Sequence, residues 1–503
     1  MNAPLRRAGV VVMVMFGLLF LNLNWVQVVN AHKYATDEHN GRVQLTEYQR
    51  QRGTIYLADG TTVVARSVAT ADDLKYLREY PFGKEYAQVI GYKSIVGGAA
   101  GVERAENDFL SGNADVLFAD RLKEMFTGAT TSGGNVILTL MKGAQDAAYN
   151  GMVNNKIGAK SGAAVAIDPS TGAILAMASF PSYDPNGLAV HNGPAVDRTA
   201  SQLNADTTQP LFNRAISGTY PPGSTMKVIV SAAALSSGGY NPQTTIPAGP
   251  AYTPIAGGGF TIHNADPAIC PDPTITLILA LTQSCNTGFA QLGVKLGSPR
   301  LIEMAQAFGF EDTKLVLDGS GGGAVTVAAS RTGTMTGDGG QDDPNFVAQS
   351  SIGQYNVRET PLLDAMIAAT IANGGVQMKP YLVDKQQAPD LTTVYPTQPQ
   401  TLRTPISGGI AQQLQQMMVS VVQNGTGKRA QIDGFDVGGK TGTAQNDANL
   451  GDHGWFMGFV MKDGKPICAT AVFLENAGSG GSGEATRIAG EIMKAVIAER
   501  GLK

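Results

Sequence analysis

Cysteine is scarce: 503 residues hold three, Cys270, Cys285 and Cys468, and no CxxC pair. That excludes a disulfide framework, a zinc ribbon and a dithiol redox motif, and leaves room for one bridge at most. Charge is scarce as well. Charged residues make up 16% of the chain, against about 25% in an average soluble domain, yet 43% is hydrophobic, which excludes a disordered chain. There is no basic excess either: 37 Lys and Arg against 41 Asp and Glu leave a net charge of −4. An electrostatic binder of nucleic acid is therefore disfavoured, and no nucleic-acid partner is expected.

Length comes next, because 503 residues exceed one ordinary domain of roughly 100–200 residues. Arg6 and Arg7 precede a stretch from Ala8 to Val29 without a charged residue, which as a helix would span ~30 Å, enough for one membrane crossing. Basic residues ahead of it keep the N-terminus cytoplasmic. The expectation is a single-pass protein of the plasma membrane with an extracytoplasmic catalytic region. No clear Ala-x-Ala site follows, so an uncleaved anchor is expected rather than a signal peptide.

The organisation reads as residues 1–30, cytoplasmic tip and anchor; 31–157, a β-rich, non-catalytic pedestal; and 158–503, a catalytic domain. The pedestal carries strand-like pieces at Gly53–Tyr56 and Thr62–Ala65. A hairpin is expected from Ala163 to Met177 around Asp168-Pro169-Ser170-Thr171-Gly172. Buried helices follow at Val228–Leu235, Ile275–Leu281 and Leu362–Ala372, then strands at Phe435–Gln445, Trp455–Met461 and Ile467–Leu474 and a closing helix at Glu484–Arg500. Five strands split by helices imply an α+β fold: a five-stranded antiparallel sheet flanked by helices, with an inserted helical subdomain and a cleft between them. Three segments, 319–340, 386–405 and 476–483, have compositions that build no core and are expected as mobile surface loops.

Three short motifs carry the chemistry. Ser224 follows the turn Tyr220-Pro221-Pro222-Gly223 and opens a helix, with Lys227 one turn on; Lys227 is the only lysine with a serine three residues before it. At that spacing a neutral lysine can take the serine's proton, and the helix N-terminus favours both an oxyanion and an uncharged amine. Ser284-Cys285-Asn286 offers a hydroxyl relay and an amide for a substrate peptide; a second match, Ser111-Gly112-Asn113, lies in the non-catalytic region. Lys440-Thr441-Gly442-Thr443 sits on a strand whose glycines permit close approach of a ligand backbone. Lys440, Thr441 and Thr443 would offer charge and donors to a carboxylate, and the N–H groups of Ser224 and Thr443 an oxyanion hole. A solvated edge-strand lysine is the blander account of Lys440. His453 and Trp455 on the following strand are packing residues, with Trp455 and Phe456 as a possible cleft wall.

In that order the motifs resemble those of the penicillin-recognising serine acyltransferases. The whole chain resembles a class B penicillin-binding protein, most of all the actinobacterial penicillin-binding protein A type. Arg52-Gly53-Thr54-Ile55-Tyr56, Asn213-Arg214-Ala215, Gly353-Gln354-Tyr355-Asn356 with Thr360-Pro361, and His453-Gly454-Trp455-Phe456 also fit. The resemblance implies a peptidoglycan D,D-transpeptidase without a cofactor: Ser224 attacks the penultimate D-alanine carbonyl of a stem peptide ending in D-Ala-D-Ala. β-Lactams would acylate it covalently. No glycosyltransferase carboxylates are visible before Gly162, so the resemblance also implies a polytopic glycosyltransferase partner in the membrane. The alternatives are a D,D-carboxypeptidase with the same acylation chemistry and a non-catalytic wall scaffold or β-lactam sensor. A β-lactamase would need a deacylating glutamate; Glu303 and Glu311 are the only ones between Asn286 and Arg358, and neither begins a Glu-x-x-Leu-Asn motif.

Cys270 and Cys285 remain. An oxidising compartment makes them a disulfide candidate beside the Ser284 turn, with two buried thiols as the alternative; a zinc site with His263 and Asp272 lacks compact ligand spacing, and no metal is expected.

Overall fold

The computed structural model describes residues 2–30, 34, 47–96, 98–117, 132–258, 260–318, 323–337, 339–446 and 450–502. Along the chain, helix α1 covers Asn2–Asn24, and strands β1 (Ile55–Tyr56), β2 (Val63–Ala69), β3 (Tyr76–Glu79) and β4 (Asn135–Leu138) follow. Then come α2 (Lys142–Val153), the hairpin β5 (Ser161–Ile167) and β6 (Ile174–Phe180), α3 (Met226–Ser236), α4 (Leu277–Gln283), α5 (Asn286–Leu296) and α6 (Pro361–Ala372). The chain ends through β7 (Val383–Gln387), β8 (Thr393–Pro396), β9 (Asp436–Ala444), β10 (His453–Lys462), β11 (Lys465–Glu475) and α7 (Gly481–Glu499). Among the described residues one helical stretch, Arg6–Val29, is long and apolar enough to cross a bilayer.

The expected five-stranded sheet is present in the order β9-β10-β11-β5-β6, antiparallel throughout. Its hairpin closes where Gly172, at φ +86, donates to the Asp168 carbonyl over 2.9 Å while the Asp168 carboxylate accepts from the Ser170 N–H over 2.8 Å. Alternation then sorts the side chains. Ala163, Val165 and Ile167 join the core on the face covered by α6, and Ala164 and Ala166 join the one covered by α2 and α7. Small residues on both faces let helices pack closely. Helix α6 is buried along its full length and capped by Thr360, whose hydroxyl accepts from the Leu363 N–H. Cys468 is a buried free thiol on β11.

The boundary expected at 157/158 is crossed in both directions. Helix α2 lies before it and packs on β6 and α7. Strands β7 and β8 lie far beyond it and complete a six-stranded sheet, β8-β7-β4-β1-β2-β3, with the pedestal. This corrects the expectation of a mobile loop at 386–405: polar β8 is held by backbone hydrogen bonds to β7, itself paired with β4, whatever their side chains. In the 319–340 segment, residues 319–322 and 338 lie outside the described residues. The part between is pinned, with Ala328 donating to Ile216 and Arg331 pairing with Arg358. In the 476–483 segment the helix already begins at Gly481. Most of 31–46 also lies outside the described residues.

Candidate active site

The turn before α3 is gripped by four other elements. Tyr220 exchanges two backbone hydrogen bonds with Glu359, of 2.9 and 2.8 Å, and the Gly223 N–H donates to the Gly353 carbonyl over 2.9 Å. The buried Trp455 indole donates to the Pro221 carbonyl over 3.0 Å, so Trp455 supports the turn from behind and is not a cleft wall. Strand β9 presses on the other side: a Cβ added at Gly442 would lie 2.7 Å from the Pro222 carbonyl oxygen. Only glycine fits there. Ser224, half-buried, is thereby held at the floor of a cleft of ≈ 770 Å³.

Two lysines converge beside it, both fully buried. Lys227 Nζ lies 2.8 Å from the Ser284 carbonyl, 2.7 Å from Asn286 Oδ1 and 3.2 Å from Ser284 Oγ. Lys440 Nζ donates to the same Ser284 Oγ over 2.9 Å and to the Thr441 carbonyl over 2.8 Å. The hydroxyl sits between them because Ser284 ends α4 in the left-handed region, φ +62 and ψ +43, a strained conformation for a residue with a Cβ. Among the described residues no hydrogen bond joins Lys227 to Ser224; the lysine is tied to the 284–286 turn. Asn286 is committed at both ends, since its Nδ2 donates to the His263 carbonyl over 3.0 Å.

Electrostatics follow from burial. Lys227 is held well below the usual lysine range, first by burial and second by the charge of Lys440. The helix dipole favoured the same direction from sequence, but desolvation is the larger cause. Burial brings Lys440 down to about 7, so Lys440 is no solvated edge lysine. Nearby carboxyls offer little opposing charge: Glu359 and Asp364 are buried beneath the turn, and burial holds both well above the usual carboxyl range. Thr441 is buried with its hydroxyl 2.6 Å from that of Thr426, while Thr443 is exposed on the free edge of the sheet and lines the cleft. Glu303 and Glu311 do not line the cleft, and among the described residues its acidic lining residue is Asp452. Ser111 and Asn113 lie in the pedestal, away from it.

Comparison with known proteins agrees with this layout. Residues 162–494 match the family described as penicillin binding protein transpeptidase domain, and residues 52–136 match the penicillin binding protein A dimerisation domain. The chain is 41% identical over 502 residues to the peptidoglycan D,D-transpeptidase PbpA of Mycolicibacterium smegmatis, covering 99% of both chains. The chain belongs to the class B penicillin-binding protein transpeptidases. Among solved members, penicillin-binding protein A from M. tuberculosis as its imipenem acyl-enzyme complex superposes with a TM-score of 0.81 at 38% identity, covering 90% of this chain and 100% of that one. Its penicillin G acyl-enzyme complex gives 0.79 at 38% identity, with 90% and 99% covered.

Two parts of the site escaped the motif reading. Cys270 and Cys285 form the disulfide, and the segment that leads into Cys270, tied by that bond to Cys285, supplies one wall of the cleft, with Phe260, Ile262, His263, Asn264 and Ile269. The opposite wall carries Gln349, Ile352, Gln354 and Tyr355; Tyr355 sits at φ +61, stacked on Phe346 at 4.5 Å. The first wall has no motif to betray it. The second was visible as the Gly353-Gln354-Tyr355-Asn356 piece, without a role.

Proposed function

We propose that this protein is a peptidoglycan D,D-transpeptidase that cross-links stem peptides through an acyl-enzyme on Ser224 and is covalently acylated by β-lactams. The observation that carries the reading is the convergence of two buried lysines on one serine hydroxyl beside Ser224, in a chain of this family. A neutral Lys227 has two N–H donors and one lone pair. The Ser284 carbonyl and Asn286 Oδ1 are pure acceptors and take the donors, which leaves the lone pair for a hydroxyl proton, from Ser224 directly or through Ser284.

On this reading Ser224 Oγ bonds to the carbonyl carbon of the penultimate D-alanine as its proton passes to Lys227. The oxyanion is held by the N–H groups of Ser224 and Thr443. Collapse breaks the amide bond, and the proton returns to the leaving amino group of the terminal D-alanine. Lys440 and the hydroxyls of Thr441 and Thr443 bind the stem peptide's carboxylate, and Gly442 keeps the strand edge open to its backbone. An amino group of a neighbouring stem then takes the acyl group. The anchor places the catalytic region outside the cytoplasmic membrane with the N-terminus inside, and a polytopic glycosyltransferase supplies the glycan strands.

The test is fluorescent-penicillin labelling of the ectodomain, wild type beside Ser224→Ala, with the adduct located by intact mass and peptide mapping. One adduct on Ser224, absent from the variant, is expected; a folded wild type that stays unlabelled overturns the reading. Incubation of a stem peptide with an amine acceptor separates cross-linked from hydrolysed product, and hydrolysis alone would assign a carboxypeptidase.

A further inference from the structure

We propose that Asn264, outside all three motifs, is a positioning residue that sets the orientation of Asn286 and, through it, of Lys227. Helix α5 begins at Asn286, and the residue before it, Cys285, has its side chain in the disulfide. Its sulfur accepts from the Gly288 N–H over 3.3 Å, and a cysteine has no side-chain oxygen to cap the first two N–H groups of the helix. Asn264 supplies that oxygen from across the cleft wall: its Oδ1 accepts from the N–H of Asn286 over 2.9 Å and of Thr287 over 3.2 Å. Its Nδ2 donates to the carbonyls of Ile269 and Gly249, over 2.9 and 3.1 Å. With both ends assigned by their partners, the Asn264 amide has one orientation.

Its neighbour completes the device. The His263 carbonyl, one residue away, accepts from Asn286 Nδ2 over 3.0 Å, so Asn286 must turn Oδ1 toward Lys227, 2.7 Å off. A flipped Asn286 would instead present a donor to Lys227 and compete for the lone pair that takes the hydroxyl proton. One dipeptide thus holds the backbone and the side chain of the residue that orients the base. The disulfide fixes the far end of the same segment to Cys285.

This inference rests on Lys227 acting as the base. The experiment compares second-order acylation by fluorescent penicillin for wild type, Asn264→Leu and Asn264→Asp, each at the plateau of its own pH profile. The leucine removes the acceptor at similar volume; the aspartate keeps it and loses the donors to Ile269 and Gly249. Expected are a loss of about 100-fold for leucine, the scale of a small misplacement at a reacting group, and a rate within about tenfold of wild type for aspartate. The carboxylate should also raise the Lys227 pKa and move the acid limb to higher pH. A leucine variant as fast as wild type overturns the proposal, and so does an aspartate variant slowed beyond tenfold, which would assign Asn264 to holding the loop. If the leucine variant does not fold, the aspartate threshold decides alone. A wild type that is not acylated at all overturns the role of Lys227 instead.

Discussion

Replacing Gly353 by alanine tests whether the loop opposite Ser224 positions the nucleophile. Gly353 has φ +72, and a Cβ there would lie 1.9 Å from the carbonyl oxygen of Gly223 and 2.6 Å from its nitrogen. Both are backbone atoms, so no rotamer change relieves the clash. Bringing 1.9 Å to an ordinary contact of 3.4 Å requires a relative shift of about 1.5 Å between the loop and the residue before Ser224, and a displacement of even about 1 Å costs on the order of 100-fold in rate. That is about 2.7 kcal/mol in the barrier. The left-handed conformation adds ~1–2 kcal/mol of strain to the fold. Gly464→Ala separates the two effects, because Gly464, in the β10–β11 turn, has φ +73 with nothing within 4 Å of an added Cβ. Second-order acylation by fluorescent penicillin should fall about 100-fold in Gly353→Ala and stay at the wild-type value in Gly464→Ala. Acylation of Gly353→Ala within about threefold of wild type would refute the reasoning, as would equal slowing in both variants.

The lysines make acylation pH-dependent in two directions. It rises as Lys227, held below the usual range by burial and by Lys440, loses its proton, and falls as Lys440 loses its own near pH 7. Because burial depresses Lys440 when folded, the unfolded chain binds more protons between about 7 and about 10.4. Stability is therefore greatest above the upper value and falls as pH drops toward 7; urea unfolding from pH 6 to 10 should show the slope, and Lys440→Met should flatten it. In the pedestal, Glu103 is fully buried between Arg52 and Arg78, at 2.7 and 2.6 Å. Glu103→Ala strands two buried guanidinium groups and should cost ~3–5 kcal/mol, read as early unfolding or proteolysis of this region, whereas Glu79→Ala, in the exposed pair with Arg66, should change nothing measurable.

Local pattern exposed the catalytic sheet and the three motifs, because alternation and helix spacing are short-range signals. The hairpin at Asp168, the buried run of α6 and the strand at Lys440 each declare themselves within a dozen residues. Long-range contacts were not legible. Strand β7 pairs with β4 across more than 200 residues of chain, and its polar sequence reads as a loop because backbone pairing leaves no hydrophobic trace on a half-buried polar strand. Asn264 looks like any loop asparagine until the disulfide brings its segment to α5. The carboxyls of Glu359 and Asp364 were hidden for the opposite reason, since charge in a sequence reads as surface and only the packing around α6 shows them buried.

The same limit explains why the motifs assign residues more readily than protonation states. Lys227 and Lys440 are 213 residues apart in sequence, each beside a hydroxyl, and nothing local says which carries charge. Folding decides it by burying both around one oxygen. Two cations sharing Ser284 Oγ in a desolvated site repel, and the buried carboxyls of Glu359 and Asp364 do not offset them, because both are held toward their neutral forms. The repulsion is mutual and disfavours holding both protons; Lys227, held well below the usual lysine range, is the one that yields, and Lys440, brought to about 7, keeps its own longer. Ser284 Oγ then accepts from the charged Lys440 and turns its proton toward the neutral Lys227. The order of deprotonation thus separates the proposed base from the proposed carboxylate anchor in residues of the same type and equal burial.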